Sequence, residues 1–250
     1  NTFLCLFAFY QSSEIHFLPL EYGGALAGFV VEHMQGRIPV IASGHDSDNL
    51  NAQVEELSAM AETGIDALVL VTNHLDPQKA CSDTFFANLN HLLDALPKTL
   101  PLGLYECPAP YRRLLSDEEL TYCANTGRFV VLKDVSCDLA TVTRRVELVQ
   151  GTPLNIINAN AAIAFPAMKA GSRGFSGVFT NFHPELYVWL YHHHQENPAL
   201  ADELADFLSL AAVTETLGYP KTAKVYHQRP GTFTSIQCRV NKDHVPEKHC

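Results

Sequence analysis

A lysine, Lys133, directly follows a short run of apolar residues and could act as a nucleophile. The run 129–132 reads Phe-Val-Val-Leu, which is typical of a strand buried on both faces. A lysine at such a place has a buried stem, and burial disfavours the ammonium form and lowers the pKa. A neutral amine can attack a carbonyl carbon and form a Schiff base. From this stretch alone, however, the simpler interpretation is favoured, in which the lysine ends a strand and points into water.

A tyrosine, Tyr105, ends the preceding apolar run in the same way. The run 101–105 reads Pro-Leu-Gly-Leu-Tyr, and the next apolar run along the chain is the one before Lys133. Adjacent parallel strands lie about 4.8 Å apart, so the phenol and the amine could meet at one reacting carbon. A phenol beside a Schiff base can move protons while the imine forms and while a C–C bond is cleaved. A tyrosine at a strand end with its hydroxyl in water is the common alternative.

Polar residues follow many of the apolar runs, and this distribution indicates the fold. A (β/α)₈ barrel brings all of its strand ends to one face, where its sites lie, whereas an open sheet spreads them along an edge. No Gly-x-Gly-x-x-Gly motif follows the first run, which weakens a dinucleotide-binding fold. We therefore predict an α/β fold of the (β/α)₈ TIM-barrel type. The polar strand-end residues are Ser12, Ser13, Glu14, His45, Asp46, Asn73, His74, Tyr105, Lys133, Asn158 and Asn160.

Apolar and amphipathic segments alternate along the chain, as parallel strands and crossover helices do. Seven strands are predicted, so one βα unit of a complete barrel is absent from this sequence. A barrel is expected over 1–181, and a helical extension that packs on it over 182–250. The predicted strands are 2–9, 39–42, 67–71, 101–105, 129–132, 154–157 and 174–178. The predicted helices are 19–34, 48–62, 78–96, 116–125, 139–149, 161–170, 184–195, 199–217 and 220–228.

Local motifs predict where several of these helices begin or end. Ser116 and Glu119 have the spacing of a capping box. Asp138 is the expected N-cap of the helix over 139–149. Gly171 is expected to end the helix over 161–170, because glycine readily adopts the left-handed conformation found after a helix.

The composition disfavours several classes of function. The 250 residues are 47% hydrophobic and 18% charged, a globular composition with enough apolar material for a large core. The net charge is −10 and no basic stripe occurs, so a nucleic-acid partner is disfavoured. The apolar run 2–10 is too short to span a membrane. The seven cysteines are scattered without Cys-x-x-Cys spacing, which favours a reduced, cytoplasmic protein.

A run of three histidines, His192, His193 and His194, does not predict a metal site. Successive residues of a helix point about 100° apart, so the three rings cannot bind one ion together. A solvated or interfacial run is the favoured interpretation, and we predict no metal.

The motifs around Tyr105 and Lys133 resemble those of a known family. Residues 104–108, Leu-Tyr-Glu-Cys-Pro, resemble a Tyr-Asn-x-Pro signature. Residues 133–138, Lys-Asp-Val-Ser-Cys-Asp, resemble a Lys-Glu/Asp-x-Ser/Thr-x-Asp/Asn signature. On these motifs the chain resembles the dihydrodipicolinate synthase / N-acetylneuraminate lyase family, the pyruvate-dependent class I aldolases. The resemblance extends over about residues 10 to 240, and further matching segments are 36–42, 64–68, 170–178 and 219–224.

The resemblance implies a homotetrameric barrel with a C-terminal helical extension, although a dimer is also an expected assembly. It implies that Lys133 is the Schiff-base lysine and Tyr105 the proton relay, with no metal or organic cofactor. The backbone carbonyl of Ser176 is expected to face the site. The family's first strand and helix would precede Thr2, in agreement with seven predicted strands. We therefore expect either an N-terminal segment that this sequence lacks or an impaired fragment.

The loop 10–14 departs from the family pattern. The family's Gly-Thr-Thr-Gly-Glu is Tyr-Gln-Ser-Ser-Glu here, so both glycines are replaced. Gln11 and Ser12 stand at the two threonine positions, and only Ser12 keeps a hydroxyl. The usual backbone binding of a pyruvate carboxylate therefore cannot be assumed for this loop.

Two further departures concern side chains outside that loop. The tyrosine that a neighbouring subunit lends to the proton relay falls at Leu75, with His74 beside it. The arginine with which dihydrodipicolinate synthase binds its aldehyde's carboxylate falls at Pro110, although Arg112 and Arg113 are near in sequence. Dihydrodipicolinate synthesis itself is therefore not expected.

These observations predict a lyase that condenses Lys133 with pyruvate or a 2-oxo-3-deoxy sugar acid while Tyr105 relays protons. A dehydratase that uses the same imine is a close variant. A non-catalytic paralogue, with the barrel kept for assembly or ligand sensing, is the alternative from another class. The residues expected to bind substrate oxygens are Gln11, Ser12, Ser13, His74, Asn158, Asn160 and Ser176.

Overall fold

The protein, described here by a computed structural model over residues 5–240, is built on a curled sheet of six parallel strands. Each strand is hydrogen-bonded to the next strand in sequence, and all pairs are parallel. A doubly wound sheet reverses its strand order at a switch point, whereas a barrel keeps the order of the sequence. The strands are β1 Leu6–Phe7, β2 Val40–Ala42, β3 Ala67–Val71, β4 Leu102–Tyr105, β5 Phe129–Asp134 and β6 Asn155–Asn158.

Helices connect the strands and cover the outer face of the sheet. Short 3₁₀ segments accompany them at Gln11–Ser13, Ile15–Phe17, Ala161–Ile163, Val178–Asn181 and Ala212–Thr216. The helices are α1 Leu20–Met34, α2 Leu50–Ala61, α3 Ser82–Ala95, α4 Asp117–Asn125, α5 Leu139–Leu148, α6 Ala164–Lys169, α7 Pro184–His193, α8 Pro198–Ala211 and α9 Lys221–Gln228.

Alternation along the strands separates two apolar layers. In β3, Leu68 and Leu70 join the large cluster between sheet and helices, while Val69 and Val71 join a smaller cluster on the inner face. This is the period of two that a strand imposes on its side chains. In β4, Leu104 points outward in the same way and Tyr105 points inward. The inner face therefore carries the side chain of Tyr105, which ends β4.

Gly103 allows β4 to pack between its neighbours on the inner face. A Cβ atom at this position would lie 2.9 Å from Cγ1 of Val131 and 3.1 Å from Cγ2 of Val69. Such contacts are closer than packed carbon atoms normally approach. The glycine thus makes room for the valines on both sides of the strand that ends in Tyr105.

The prediction of a regular seventh strand over 174–178 is wrong. Only Phe175 pairs, through a single parallel bridge to Asn158, and a 3₁₀ helix begins at Val178. Gly174 has a φ of +153°, and the Ser172 hydroxyl donates to the carbonyls of Ile156 and Gly174. The segment follows the edge of β6 but leaves the regular strand conformation before a ladder forms, so the described sheet has six strands.

The prediction of one helix over 199–217 is also wrong, because α8 ends at Ala211 and continues as a 3₁₀ segment to Thr216. The helix predicted over 161–170 begins as a 3₁₀ turn, and α6 proper is shorter. Helices α7 and α8 enclose a third apolar cluster with α6, which includes Phe165, Tyr187 and Leu208. Parts of the predicted strand 2–9 and of the extension to 250 lie outside the described residues.

The predicted helix caps are confirmed. Ser116 and Glu119 form a complete capping box at the start of α4. The side chain of Asp138 accepts a hydrogen bond from the backbone N–H of Thr141 at the start of α5. Gly171 follows α6 with a φ of +100°.

Among residues 5–240, no helix is both long and apolar enough to cross a membrane.

Candidate active site

Tyr105 and Lys133 meet at the carboxyl end of the sheet. They are register partners on β4 and β5. The Nζ atom of Lys133 lies 4.8 Å from the centroid of the Tyr105 ring, on the inner face. The structure therefore brings the two predicted catalytic residues together.

Three aromatic rings surround the amine of Lys133. The centroids of the Tyr105, Tyr10 and Phe7 rings lie 4.8, 4.9 and 5.6 Å from Nζ. The Tyr10 ring packs against both others, 4.9 Å from Phe7 and 4.3 Å from Tyr105 between centroids. Ring faces attract a cation, but they replace only part of the hydration that an ammonium group loses on burial.

Burial lowers the pKa of Lys133 to about 8, from an ordinary value of 10.5. The thiols of Cys107 and Cys5 raise the pKa of Lys133, but the effect of burial is larger. With this pKa, about a tenth of the amine is neutral at pH 7, far more than for a solvated lysine. The neutral form is the nucleophile that Schiff-base chemistry requires.

Tyr105 is held as a neutral phenol. Its side chain is only 3% exposed, and burial raises its pKa above the ordinary tyrosine range. The neighbouring Cys107 thiol, which is hydrogen-bonded to the phenol, raises the pKa further. A neutral phenol beside an amine can donate a proton to a departing oxygen and recover it from water.

A buried ion-pair network lies directly behind these two residues. Glu106 follows Tyr105 and Asp134 follows Lys133, so both carboxylates point to the outer face, where they are fully buried. Arg145 of α5 donates two hydrogen bonds to Glu106, at 2.7 and 2.9 Å, and a further one to Asp134. The guanidinium thereby connects the ends of β4 and β5.

Glu106 has further partners in the backbone. Its carboxylate accepts hydrogen bonds from the N–H groups of Leu115 and Val135. Burial raises the pKa of Glu106, Arg145 opposes this, and Asp134 adds to it. Sequence reasoning did not select Arg145. The signal that could have found it is a charged residue three positions after Val142, on the buried face of α5.

The two serines of the loop 10–14 do not line the cavity that contains Tyr105. The Ser13 hydroxyl donates to the backbone carbonyl of Ala8, and Ser12 is exposed and interacts with the phenol of Tyr219. The side chain of Gln11 lies outside the described part of the structure. Tyr10, which stands at the first glycine position of the family loop, instead sends its ring inward over Lys133.

Glu14 ties this loop to the C-terminal tail. Its Oε1 atom accepts hydrogen bonds from the N–H groups of Arg239 and Val240, at 2.6 and 2.8 Å. Its other oxygen lies 3.7 Å from Nζ of Lys224. Burial alone would raise the pKa of Glu14, but these hydrogen bonds and the lysine outweigh it and lower the pKa.

Asn158 ends β6, and Asn160 and Ser176 lie beside it. Asn158 donates from Nδ2 to the carbonyl of Asn160 and accepts from its N–H, and Asn160 accepts from Ala162 N–H. The N–H of Ser176 donates to the carbonyl of Asn158 at 2.8 Å. The amide groups of both asparagines thus bond within their own loop.

His74 shares a small cavity with Tyr105. Its Nδ1 atom lies 2.8 Å from Asp48, and its ring lies 5.0 Å from the ring of His45. His45 accepts the N–H of Val71 on Nδ1, and burial, together with His74, lowers its pKa to about 3. The cavity has a volume of about 20 Å³, enough for a group the size of a water molecule. Its lining residues are Tyr10, Ile15, Ser43, His45, Val71, His74, Tyr105, Cys107 and Ala109.

A model of the dihydrodipicolinate synthetase family matches residues 5–240. The chain belongs to this family. The resemblance that the motifs around Tyr105 and Lys133 indicated is thereby confirmed. At the level of the family, these are pyruvate-dependent class I aldolases and lyases that use a Schiff-base lysine without a cofactor.

The relatives within the family are distant and longer than this chain. A 4-hydroxy-tetrahydrodipicolinate synthase of Clostridium perfringens is 28% identical over 168 residues, which cover 67% of this chain and 56% of that protein. The enzyme of the same name from Bacillus subtilis is 27% identical over 157 residues, which cover 62% and 51%. The chain thus spans little more than half the length of the curated relatives it matches.

Solved structures of the family share the fold. YagE of E. coli K12, a prophage protein solved in complex with pyruvate, has a TM-score of 0.84 at 20% identity, over 98% of this chain and 83% of that one. A monomeric dihydrodipicolinate synthase variant has a TM-score of 0.86 at 17% identity, over 98% and 81%. At these identities the likeness shows the α/β fold of the family's TIM-barrel structures.

Proposed function

We propose that this family member is a lyase that forms a Schiff base between Lys133 and a 2-oxo acid. The observation that carries the proposal is the position of the Lys133 amine, whose pKa is lowered to about 8, over the ring of the buried phenol Tyr105. The nucleophile and a neutral proton donor therefore lie side by side on the inner face of the barrel strands.

The reaction begins when the neutral amine of Lys133 attacks C2 of the 2-oxo acid. The carbonyl oxygen becomes a hydroxyl, accepts a proton from Tyr105 and leaves as water, so that a protonated imine remains. The Tyr105 phenolate then takes the proton of the C4 hydroxyl, and the bond between C3 and C4 breaks. C4 leaves as an aldehyde, and the electron pair of the bond moves toward the imine nitrogen and gives an enamine. C3 then takes up a proton, and water releases pyruvate and restores the amine. The imine is the electron sink, so the step requires no metal or organic cofactor.

The substrate that we propose is pyruvate or a 2-oxo-3-deoxy sugar acid that releases pyruvate. Pro110 stands where the aldehyde-binding arginine of dihydrodipicolinate synthase would be. Arg113 is not free to replace it, because its guanidinium pairs with Asp76 at 3.2 Å and with Glu119 at 2.8 Å. Synthesis of dihydrodipicolinate is therefore not part of the proposal, and a dehydratase that uses the same imine is the close variant.

The second candidate function is a non-catalytic barrel used for assembly or ligand sensing. The observation that favours it is that the Ser13 hydroxyl and the amides of Asn158 and Asn160 bond to their own backbone segments. In this function, the residues expected to bind a substrate instead stabilise their own loops. The retained pair of Tyr105 and Lys133 favours the enzyme.

Trapping with borohydride separates the two functions. Protein is incubated with pyruvate or with a panel of 2-oxo acids, reduced with borohydride, and weighed by mass spectrometry. The enzyme proposal expects an adduct on Lys133 that the Lys133→Met variant loses and that Lys98→Met, a change of an exposed lysine, keeps. Absence of an adduct with every 2-oxo acid would favour the non-catalytic barrel.

A further inference from the structure

Tyr10 has a buried hydroxyl that takes no part in the proposed reaction. The residue is only 5% exposed, and its ring lies between those of Phe7 and Tyr105. Its Oη atom is buried and has no hydrogen-bond partner within residues 5–240. Burial of a hydroxyl without a partner costs stability, so such a group in a folded protein calls for an explanation.

The position of Tyr10 directs that explanation to the candidate active site. Its ring centroid lies 4.9 Å from Nζ of Lys133, the atom to which the substrate carbon would be bonded. Tyr10 also lines the small cavity that contains Tyr105 and His74. The Tyr10 side chain therefore belongs to the surroundings of a molecule held on Lys133.

Other groups of the same loop are occupied or lie elsewhere. The Ser13 hydroxyl donates to Ala8, and the Glu14 carboxylate accepts from the C-terminal tail. Ser12 is exposed and interacts with Tyr219. Of the described side chains in this loop, Tyr10 alone has a buried hydroxyl without a hydrogen-bond partner.

We propose that Tyr10 donates a hydrogen bond from Oη to the carboxylate of the 2-oxo acid bound to Lys133. This inference rests on the proposed function. The carboxylate is attached to C2, the same carbon that forms the imine, so its oxygens lie beside Nζ. Tyr105 donates a proton to the oxygen that leaves C2 as water, whereas Tyr10 donates a hydrogen bond to the carboxylate oxygens.

The electrostatics of the surroundings support this division of roles. Once the imine is protonated, its positive charge and the adjacent carboxylate compensate each other, and the ring faces of Tyr10 and Tyr105 favour the cation. What such a pair lacks in an apolar cavity is a hydrogen-bond donor for the carboxylate. A phenol supplies one without adding a charge, and hydrogen bonds to charged acceptors are stronger than those between neutral groups.

The Tyr10→Phe variant tests the inference, since it keeps the ring and removes only the hydroxyl. Tyr187→Phe is the matched control, because Tyr187 also has a buried hydroxyl without a partner in the described residues but lies in the separate cluster with Phe175. The rate of borohydride trapping is measured against pyruvate concentration for the wild type and both variants. Thermal unfolding midpoints confirm that both variants are folded.

We expect the pyruvate concentration for half-maximal trapping to rise about tenfold or more in Tyr10→Phe. The rate at saturating pyruvate should change less than threefold, and Tyr187→Phe should behave as the wild type. With hydroxyacetone, a ketone without a carboxylate, the wild type and Tyr10→Phe should not differ.

Three results would overturn the inference. A half-saturating concentration within twofold of the wild type means that the hydroxyl does not bind pyruvate. A fall in the saturating rate alone means that Tyr10 relays protons and does not hold the carboxylate. An equal loss with hydroxyacetone excludes the carboxylate as its partner. If the wild type is trapped, each of these results leaves the proposed function unchanged. If no 2-oxo acid labels the wild type, both the proposed function and the inference about Tyr10 are refuted.

Discussion

The Lys133 amine lies 4.8 Å from the centroid of the Tyr105 ring because the two residues are register partners on adjacent parallel strands. The next residue on each strand, Asp134 and Glu106, points the opposite way and meets Arg145. A slip of β5 by one residue would turn Asp134 to the inner face and Lys133 toward the helices, away from Tyr105. The ion-pair network behind the strands thus stabilises the register that places Tyr105 and Lys133 side by side.

The first prediction concerns the pH dependence of imine formation. Because the pKa of Lys133 is lowered to about 8, the neutral fraction of the amine rises with pH and levels off above that value. At low pyruvate concentration, the trapping rate should rise about tenfold per pH unit below pH 8 and reach a plateau above it. A rate that continues to rise to pH 10.5, the ordinary lysine value, would show that the amine is not desolvated.

The same shift predicts how folding stability depends on pH. Between about 8 and 10.5 the unfolded chain still carries the proton on Lys133 and the folded chain does not, so the free energy of unfolding rises with pH in this window. The expected rise is on the order of 3 kcal/mol. Urea unfolding of the wild type and Lys133→Met measures it, because the variant lacks this contribution. Parallel pH profiles for the two proteins would contradict the prediction.

Tyr105→Phe should slow imine formation while the fold is retained. The ring still packs against Tyr10, but the proton donor for the departing oxygen is lost. Loss of one positioned acid–base group typically costs about 10²- to 10⁴-fold in rate. Stopped-flow or timed trapping at saturating pyruvate gives the rate. A rate within threefold of the wild type would exclude Tyr105 as the relay.

Arg145→Met should destabilise the protein strongly. It leaves Glu106 and Asp134 buried without their shared cation, and removal of one partner of a buried ion pair costs about 3–5 kcal/mol. The adjacent Arg144→Met is the matched control, because Arg144 is exposed and pairs only at the surface with Asp117. That change should lower the free energy of unfolding by less than about 1 kcal/mol. Urea midpoints compare the two, and similar losses would contradict a structural role for the network.

Gly103→Ala should also destabilise the protein, although it adds a single methyl group. The new Cβ would meet Val131 at 2.9 Å and Val69 at 3.1 Å, and overpacking of this kind costs about 1–3 kcal/mol. Gly28→Ala in α1 is the control, since nothing lies within 4 Å of a Cβ there. Alanine in a helix should stabilise by about 0.5–1 kcal/mol. Equal effects at both positions would show that the inner face is not tightly packed.

Features that depend on neighbouring residues in sequence could be predicted. The capping box of Ser116 and Glu119 and the cap at Asp138 are set by residues within one helical turn. The adjacency of Tyr105 and Lys133 followed from consecutive strands in a parallel sheet. The predicted strand over 174–178 failed because Gly174 and the hydrogen bonds of Ser172 end the ladder, and apolar composition alone does not reveal this.

Features that depend on distant contacts could not be predicted. Arg145 contacts Glu106 from 39 positions away, and no local pattern shows that pairing. The loss of the loop glycine at Tyr10 was visible in the sequence, but the direction of the new ring was not. Its inward position depends on packing against Phe7 and Tyr105, which lie on two different strands.

The measurement that tests the central claim most directly is the mass of the protein after reduction with borohydride in the presence of pyruvate. The Schiff base on Lys133 predicts one added group per chain with the mass of pyruvate less one oxygen atom. Peptide mapping should place that group on Lys133, and Lys133→Met should remain at its own mass. A wild-type protein without added mass, or with the group on another lysine, would contradict the account.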